Sequence, residues 1–171
     1  MESQMQFLVC IVIALAGRSD SYNWVDAPKG VVPLGTYEFE LYHEVHHFCE
    51  ARDDEGRLHT GTFTDKEKIC MYVNVKEKTV ESSAKFQVLT LNPNEKAVWK
   101  HTEKEIPENA VPCDDKESEE CYLGMAFYSD GLCHEAPGKV FLKKHRIFTH
   151  IGPKLAICPY FNYLTIQDMS K

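Results

Sequence analysis

Five consecutive residues, His43-Glu44-Val45-His46-His47, spell H-E-x-x-H, the pattern in which two histidines ligate zinc and the glutamate serves a metalloprotease as general base. That chemistry needs a helix. On a helix, positions i and i+4 share one face about 6 Å apart, whereas an extended strand separates them by about 13 Å, too far for one zinc with bonds near about 2 Å. Leu41, Tyr42, Val45 and Phe48 around the motif are strand-favouring residues. A zinc protease using His43, Glu44 and His47 is therefore the weakest functional reading, and His46 and His47 are expected at the surface. The acidic run 114–120 lacks the alternating oxygen ligands and central glycine of a calcium loop, so it reads as a solvated hairpin tip tied by Cys113 and Cys121. No G-x-S-x-G, phosphate loop or G-x-G-x-x-G occurs. Binding, with no cofactor, is expected in place of catalysis.

The 171 residues carry a formal net charge of -7, with 19 Lys and Arg against 26 Asp and Glu, which argues against a nucleic-acid partner. The apolar run over residues 7–16 is too short to cross a bilayer and suits a signal-peptide core. Ala14-Leu15-Ala16 fits the small-residue cleavage pattern, although the preceding segment holds Glu2 and no Lys or Arg. The expectation is a secreted, extracellular protein with residues 1–16 as signal and no membrane span. Cys49, Cys70, Cys113, Cys121, Cys133 and Cys158 then remain, an even set that can pair in an oxidising compartment.

The elements that hold these residues come in two copies. Trp24 recurs as Trp99, Ala51 as Ala126, Gly56 as Gly131 and Phe86 to Leu89 as Phe161 to Leu164, all at an offset of 75; Gly61 answers to Gly138 at 77. Short aromatic or branched runs alternate with turn clusters at roughly ten-residue intervals, the spacing of an antiparallel sandwich or barrel. The fold class expected is all-β, two tandem pseudo-twofold-related antiparallel β units packed into one compact body. The boundaries fall at 17–94 for the first repeat and 95–171 for the second, joined near Asn92-Pro93-Asn94. Units of this size bury too little surface alone, so a shared core follows. Cys49 and Cys70 share the first copy, while Gly124 and Arg146, their counterparts by counting, are both non-cysteine. Cys49 with Cys70, Cys113 with Cys121 and Cys133 with Cys158 is the pairing this suggests, although spacing alone does not select among the connectivities.

Aligned this way, Tyr122-Leu-Gly-Met-Ala126, Gly131, Pro137-Gly-Lys-Val140 and Phe161-Asn-Tyr-Leu164 resemble the DM-nine repeat family, over two tandem copies from Trp24 to about Gln167. The resemblance implies an all-β fold and, in lectin-like members, recognition of mannose-type sugars in pathogen sensing and innate defence. It implies a site made from an acidic residue ahead of the Y-V-G-R-A strand and the lysine of Pro-Gly-Lys. These fall on Asp115 and Lys139 in the second copy, and on Glu40 and Thr62 in the first. The sequence departs from the family pattern at Glu50 and Met125, where arginine is usual, and at residues 77–81 and 152–156.

The chemistry is coherent: a carboxylate accepts hydrogen bonds from two adjacent sugar hydroxyls while an ammonium donates to their oxygens. Gly138 would let a ligand approach the backbone, Pro137 would stiffen the lysine's loop, and Tyr122 or Tyr128 would cover a pyranose face. Asp114 and Glu117 compete with Asp115 for the acidic role, and the plainer alternative is that Asp115 and Lys139 are exposed charges worth little to stability. One such site binds weakly, so avidity would come from repeated sites or an oligomer, a homodimer at its simplest. A lipocalin-like carrier of an apolar ligand is the other alternative, which the duplication disfavours.

Overall fold

The computed structural model describes residues 22–28, 31–103, 105–113, 120–127 and 133–170. The expected signal at residues 1–16 lies outside these, as do Asp114, Asp115, Glu117, Tyr128 and Gly131. The first sheet is built from β1 (Tyr22–Asp26), β2 (Glu38–Leu41), β3 (Glu44–Arg52), β4 (Leu58–Thr64), β5 (Cys70–Asn74), β6 (Thr79–Ser83) and β7 (Phe86–Leu91). The second is built from β8 (Glu95–Lys100), β9 (Cys121–Ala126), β10 (Pro137–Phe141), β11 (Arg146–Ile151), β12 (Lys154–Cys158) and β13 (Phe161–Asp168). No helix of the described residues is long and apolar enough to cross a membrane.

The two sheets share one strand order. The first runs β1-β7-β3-β4-β5-β6, with β2 added beside β3, and the second runs β8-β13-β9-β10-β11-β12. The registers agree as well. Trp24 pairs with Leu89 as Trp99 pairs with Leu164, and Ala51 pairs with Phe86 as Ala126 pairs with Phe161. Gly61 pairs with Tyr72 as Gly138 pairs with Thr149. A slip of one residue would send every inward side chain to the other face, so matching registers mean matching cores. This register places Ile147, rather than Arg146, at the position of Cys70, because the two-residue insertion falls between β9 and β10.

Each sheet is apolar on both faces. Phe48, Val73 and Leu89 from the first meet Leu123, Phe148 and Leu164 from the second in a shared cluster that Trp24 and Trp99 flank. The far face of the first sheet holds Cys49, Ala51, Phe63, Phe86 and Val88, and the far face of the second holds Ala126, Val140, Ile147, Phe161 and Tyr163. Strands with an apolar set on both faces read as continuous hydrophobic runs. Equivalent strands meet across the middle, β4 against β10, β5 against β11 and β6 against β12, as a pseudo-twofold arrangement requires. Among the described residues each sheet ends in unclosed edge strands, two packed sheets in place of the single closed barrel of a lipocalin-like carrier.

Three disulfides are present: Cys49–Cys70, Cys113–Cys121 and Cys133–Cys158, with Cα atoms 5.9, 5.4 and 5.6 Å apart. They are compatible with an extracellular, oxidising setting. The first ties β3 to β5 on the far face of the first sheet. At the same positions the second sheet has Gly124 and Ile147, and a Cβ on Gly124 would come within 3.4 Å of the Ile147 side chain. One repeat fills this spot with a covalent link, the other with an isoleucine over a glycine.

Candidate functional site

The H-E-x-x-H residues do not converge. Leu41 pairs with Glu44, which leaves Tyr42 and His43 as a two-residue hairpin loop, both at positive φ, 51° and 66°. Such loops favour Asn-Gly, since both residues must be left-handed. Glu44 to His47 continue as extended β3. His43 is fully exposed, with Nδ1 3.8 Å from Glu40. His47, expected at the surface, is 1% exposed instead. It shares the β3 face that carries Cys49 and Ala51, stacks on Phe63 at 4.8 Å, and sets Nε2 2.9 Å from Asp65 and Nδ1 3.2 Å from the Tyr37 carbonyl. Alternation along a strand buried on both faces explains the burial; the residue's polarity did not forecast it.

The residues assigned to the second-repeat site are only partly together. Pro137, Gly138 and Lys139 form a strand, β10, where a loop was expected. Lys139 is 1% exposed and lies on the same side of β10 as Phe141, toward the first sheet. Gly138 serves the fold: a Cβ there would sit 2.2 Å from the Phe148 carbonyl oxygen, as one on Gly61 would sit 2.0 Å from that of Met71. Glycine is required in both repeats because the neighbouring strand, not a ligand, approaches. Tyr122 pairs with Val140 and packs with that residue's cluster on the far face, so it is on the opposite side of the sheet from Lys139. Its hydroxyl donates to Glu120 at 2.5 Å.

In the first repeat, Thr62 occupies the register position of Lys139. Its side chain faces the second sheet, where its hydroxyl lies 3.4 Å from His150 Nε2, while His150 Nδ1 lies 3.2 Å from the Gly152 carbonyl. The ring donates to that carbonyl through Nδ1, and the Met71 carbonyl is its second backbone partner. Beside Thr62 and His150 a cleft of about 190 Å³ opens between the sheets, lined by residues of both repeats, among them Tyr42, His46, Thr62, Glu67, Glu135 and His150. Burial lowers the pKa of His46 and of His150 below the usual histidine value, and Glu67 opposes the fall at both, joined by Glu44 at His46. Tyr42 reaches across to donate to the His134 carbonyl at 2.8 Å, so the hairpin loop of one repeat is fastened to the other.

The sequence singled out Thr62 as the counterpart of Lys139 and Glu44 and His46 within H-E-x-x-H, but nothing in it brought them together with His150, 88 residues from Thr62, or with Glu135. Among the described residues no cluster of three or more histidine, cysteine or carboxylate groups is arranged to hold a metal.

A family model of the DM9 repeat matches residues 43–154, which is more than half of the chain and covers parts of both sheets. No curated protein matches it. The duplicated strand order, the paired registers and this match agree, and the chain belongs to the DM9 (DM-nine) repeat family.

Proposed function

We propose that this protein is a secreted carbohydrate-recognition protein that binds a mannose-type glycan through its second repeat, acts by binding without catalysis, and serves recognition of microbial or cell surfaces in innate defence. Membership of the DM9 family supports carbohydrate recognition at the family level, and the three disulfides suit an exported protein. In this reading the repeats run from 17 to 94 and from 95 to 171, after a removed signal. A homodimer would double the sites and supply the avidity that a single weak site lacks.

The observation that carries the reading is Lys139. A lysine 1% exposed is rare in a folded protein and costs stability unless its ammonium is well satisfied. What enclosure provides is position, because a lysine otherwise swings its charge on a flexible four-carbon stem. Held by β10 between Leu123 and Phe148, the stem fixes a donor whose acidic counterpart in the family pattern is Asp115. Tyr122, on the opposite sheet face, takes no part.

Mannose affinity measured by calorimetry on wild type, Lys139→Met and Asp115→Asn tests the proposal. Loss of a charge-assisted hydrogen bond lowers affinity about 10- to 100-fold, with Lys139→Met keeping the volume of the stem and hence the fold. A Lys139→Met protein that melts differently but binds mannose as before would make the lysine a structural residue only.

A further inference from the structure

The cleft between the repeats opens beside Thr62, the counterpart of Lys139, and its charge is reversed. Thr62 replaces the ammonium, and three carboxylates, Glu44, Glu67 and Glu135, line the cleft with His46 and His150. Lys66 approaches Glu44 at 4.0 Å from an exposed position; among the described residues no cation pairs with Glu67 or Glu135. An engineered cavity of about 150 Å³ admits benzene, so about 190 Å³ is room for one six-membered ring. Tyr42, anchored through its hydroxyl to His134, offers an aromatic wall of the kind that covers an apolar sugar face, while Thr62 and the His46 imidazole offer hydroxyl partners.

We propose that this cleft is a second binding site that takes a single pyranose bearing a protonated amine, an unacetylated amino sugar, its ammonium held by Glu67 and Glu135. The chemistry follows from complementarity. Where β10 presents Lys139, the cleft has Thr62 at the equivalent position and carboxylates from both repeats, Glu44 and Glu67 from the first and Glu135 from the second, so a complementary positive charge has to come from the ligand. An N-acetylated sugar has no charge there and gains nothing from these groups. The sugar class rests on the carbohydrate reading above, whereas the demand for a cation rests on the cleft alone.

The test is amide NMR of the full chain titrated separately with glucosamine, N-acetylglucosamine and mannose, repeated on Glu67→Gln/Glu135→Gln, whose substitutions lie at exposed positions. Glucosamine is expected to shift His46, Thr62 and His150, the N-acetylated sugar to need at least tenfold higher concentration, and the double variant to lose at least tenfold in glucosamine affinity. Equal shifts from both amino sugars on wild type, or no glucosamine shift in the cleft, would overturn the proposal, and neither readout depends on the variant folding. Mannose shifts near Lys139 report on the other site: their presence without a glucosamine response sinks this inference alone, and their absence beside a glucosamine response sinks the mannose reading alone.

Discussion

The two repeats share strand order and register but differ in what they hold at equivalent points. β4 carries Thr62 where β10 carries Lys139; Val73 stands where His150 stands, given the common register of β5 and β11; Cys49 and Cys70 stand where Gly124 and Ile147 stand. The positions that keep their identity, Trp24 and Trp99, Ala51 and Ala126, Gly61 and Gly138, serve pairing and packing. Duplication thus kept residues that serve pairing and packing, while side chains diverged on both faces of the sheets, Thr62 and Val73 between them and Cys49 and Cys70 on the far face. Between the sheets a lysine lies on one side of the pseudo-twofold, and a histidine-lined cleft with carboxylates on the other.

The largest expected effect concerns stability. Cys49→Ser/Cys70→Ser opens a link of sequence separation 21 and is expected to cost about 2–5 kcal/mol, measured by denaturant unfolding. Gly124→Ala, at the matching site, meets the Val140 side chain and the Asn162 carbonyl and is expected to cost less, about 1–3 kcal/mol. A first repeat indifferent to reduction would mean that the two packings there are interchangeable. Next come Gly61→Ala and Gly138→Ala. Both place a Cβ against the neighbouring strand's carbonyl, so both are expected to lower the melting temperature, and by similar amounts if the repeats are built alike. A large cost at one and none at the other would break the equivalence of β4 with β10.

The smallest effect is on pH dependence. Burial holds the pKa of His46 and His150 below 6.5, so as pH falls below 6.5 the unfolded chain binds more protons than the folded one. Stability contributed by the neutral rings is present above the unfolded value and is lost on acidification toward the depressed folded values. His150→Gln should flatten the slope of unfolding free energy between pH 7 and pH 5 on the order of one proton or less, and an unchanged slope would show that His150 does not titrate in this way.

Much of the fold was legible because its signals are local or periodic. Offsets of 75 and 77 aligned the copies, turn clusters marked the strands, and the loss of both Cys49 and Cys70 counterparts together pointed to their bond. Side-chain direction was less legible. His47 looked exposed because it is polar, yet a strand apolar on both faces has no outer side on which to place it. Tyr122 and Lys139 looked like neighbours in a motif, but pairing of Tyr122 with Val140 and of Lys139 with Leu123 sets them on opposite faces. Thr62, Glu44 and His46 were singled out, but their assembly into one cleft was not legible, because Tyr42 with His134 and Thr62 with His150 are contacts between repeats that only the packing of the two sheets creates.

The central claim is that one shared framework presents different ligand chemistry on its two sides. Amide NMR with free mannose on the intact, disulfide-bonded protein tests it most directly: the account predicts shifts centred on Leu123, Lys139 and Phe141, with Glu40, Tyr42 and His46 unmoved. Shifts centred on Glu40 and Thr62 instead would contradict it.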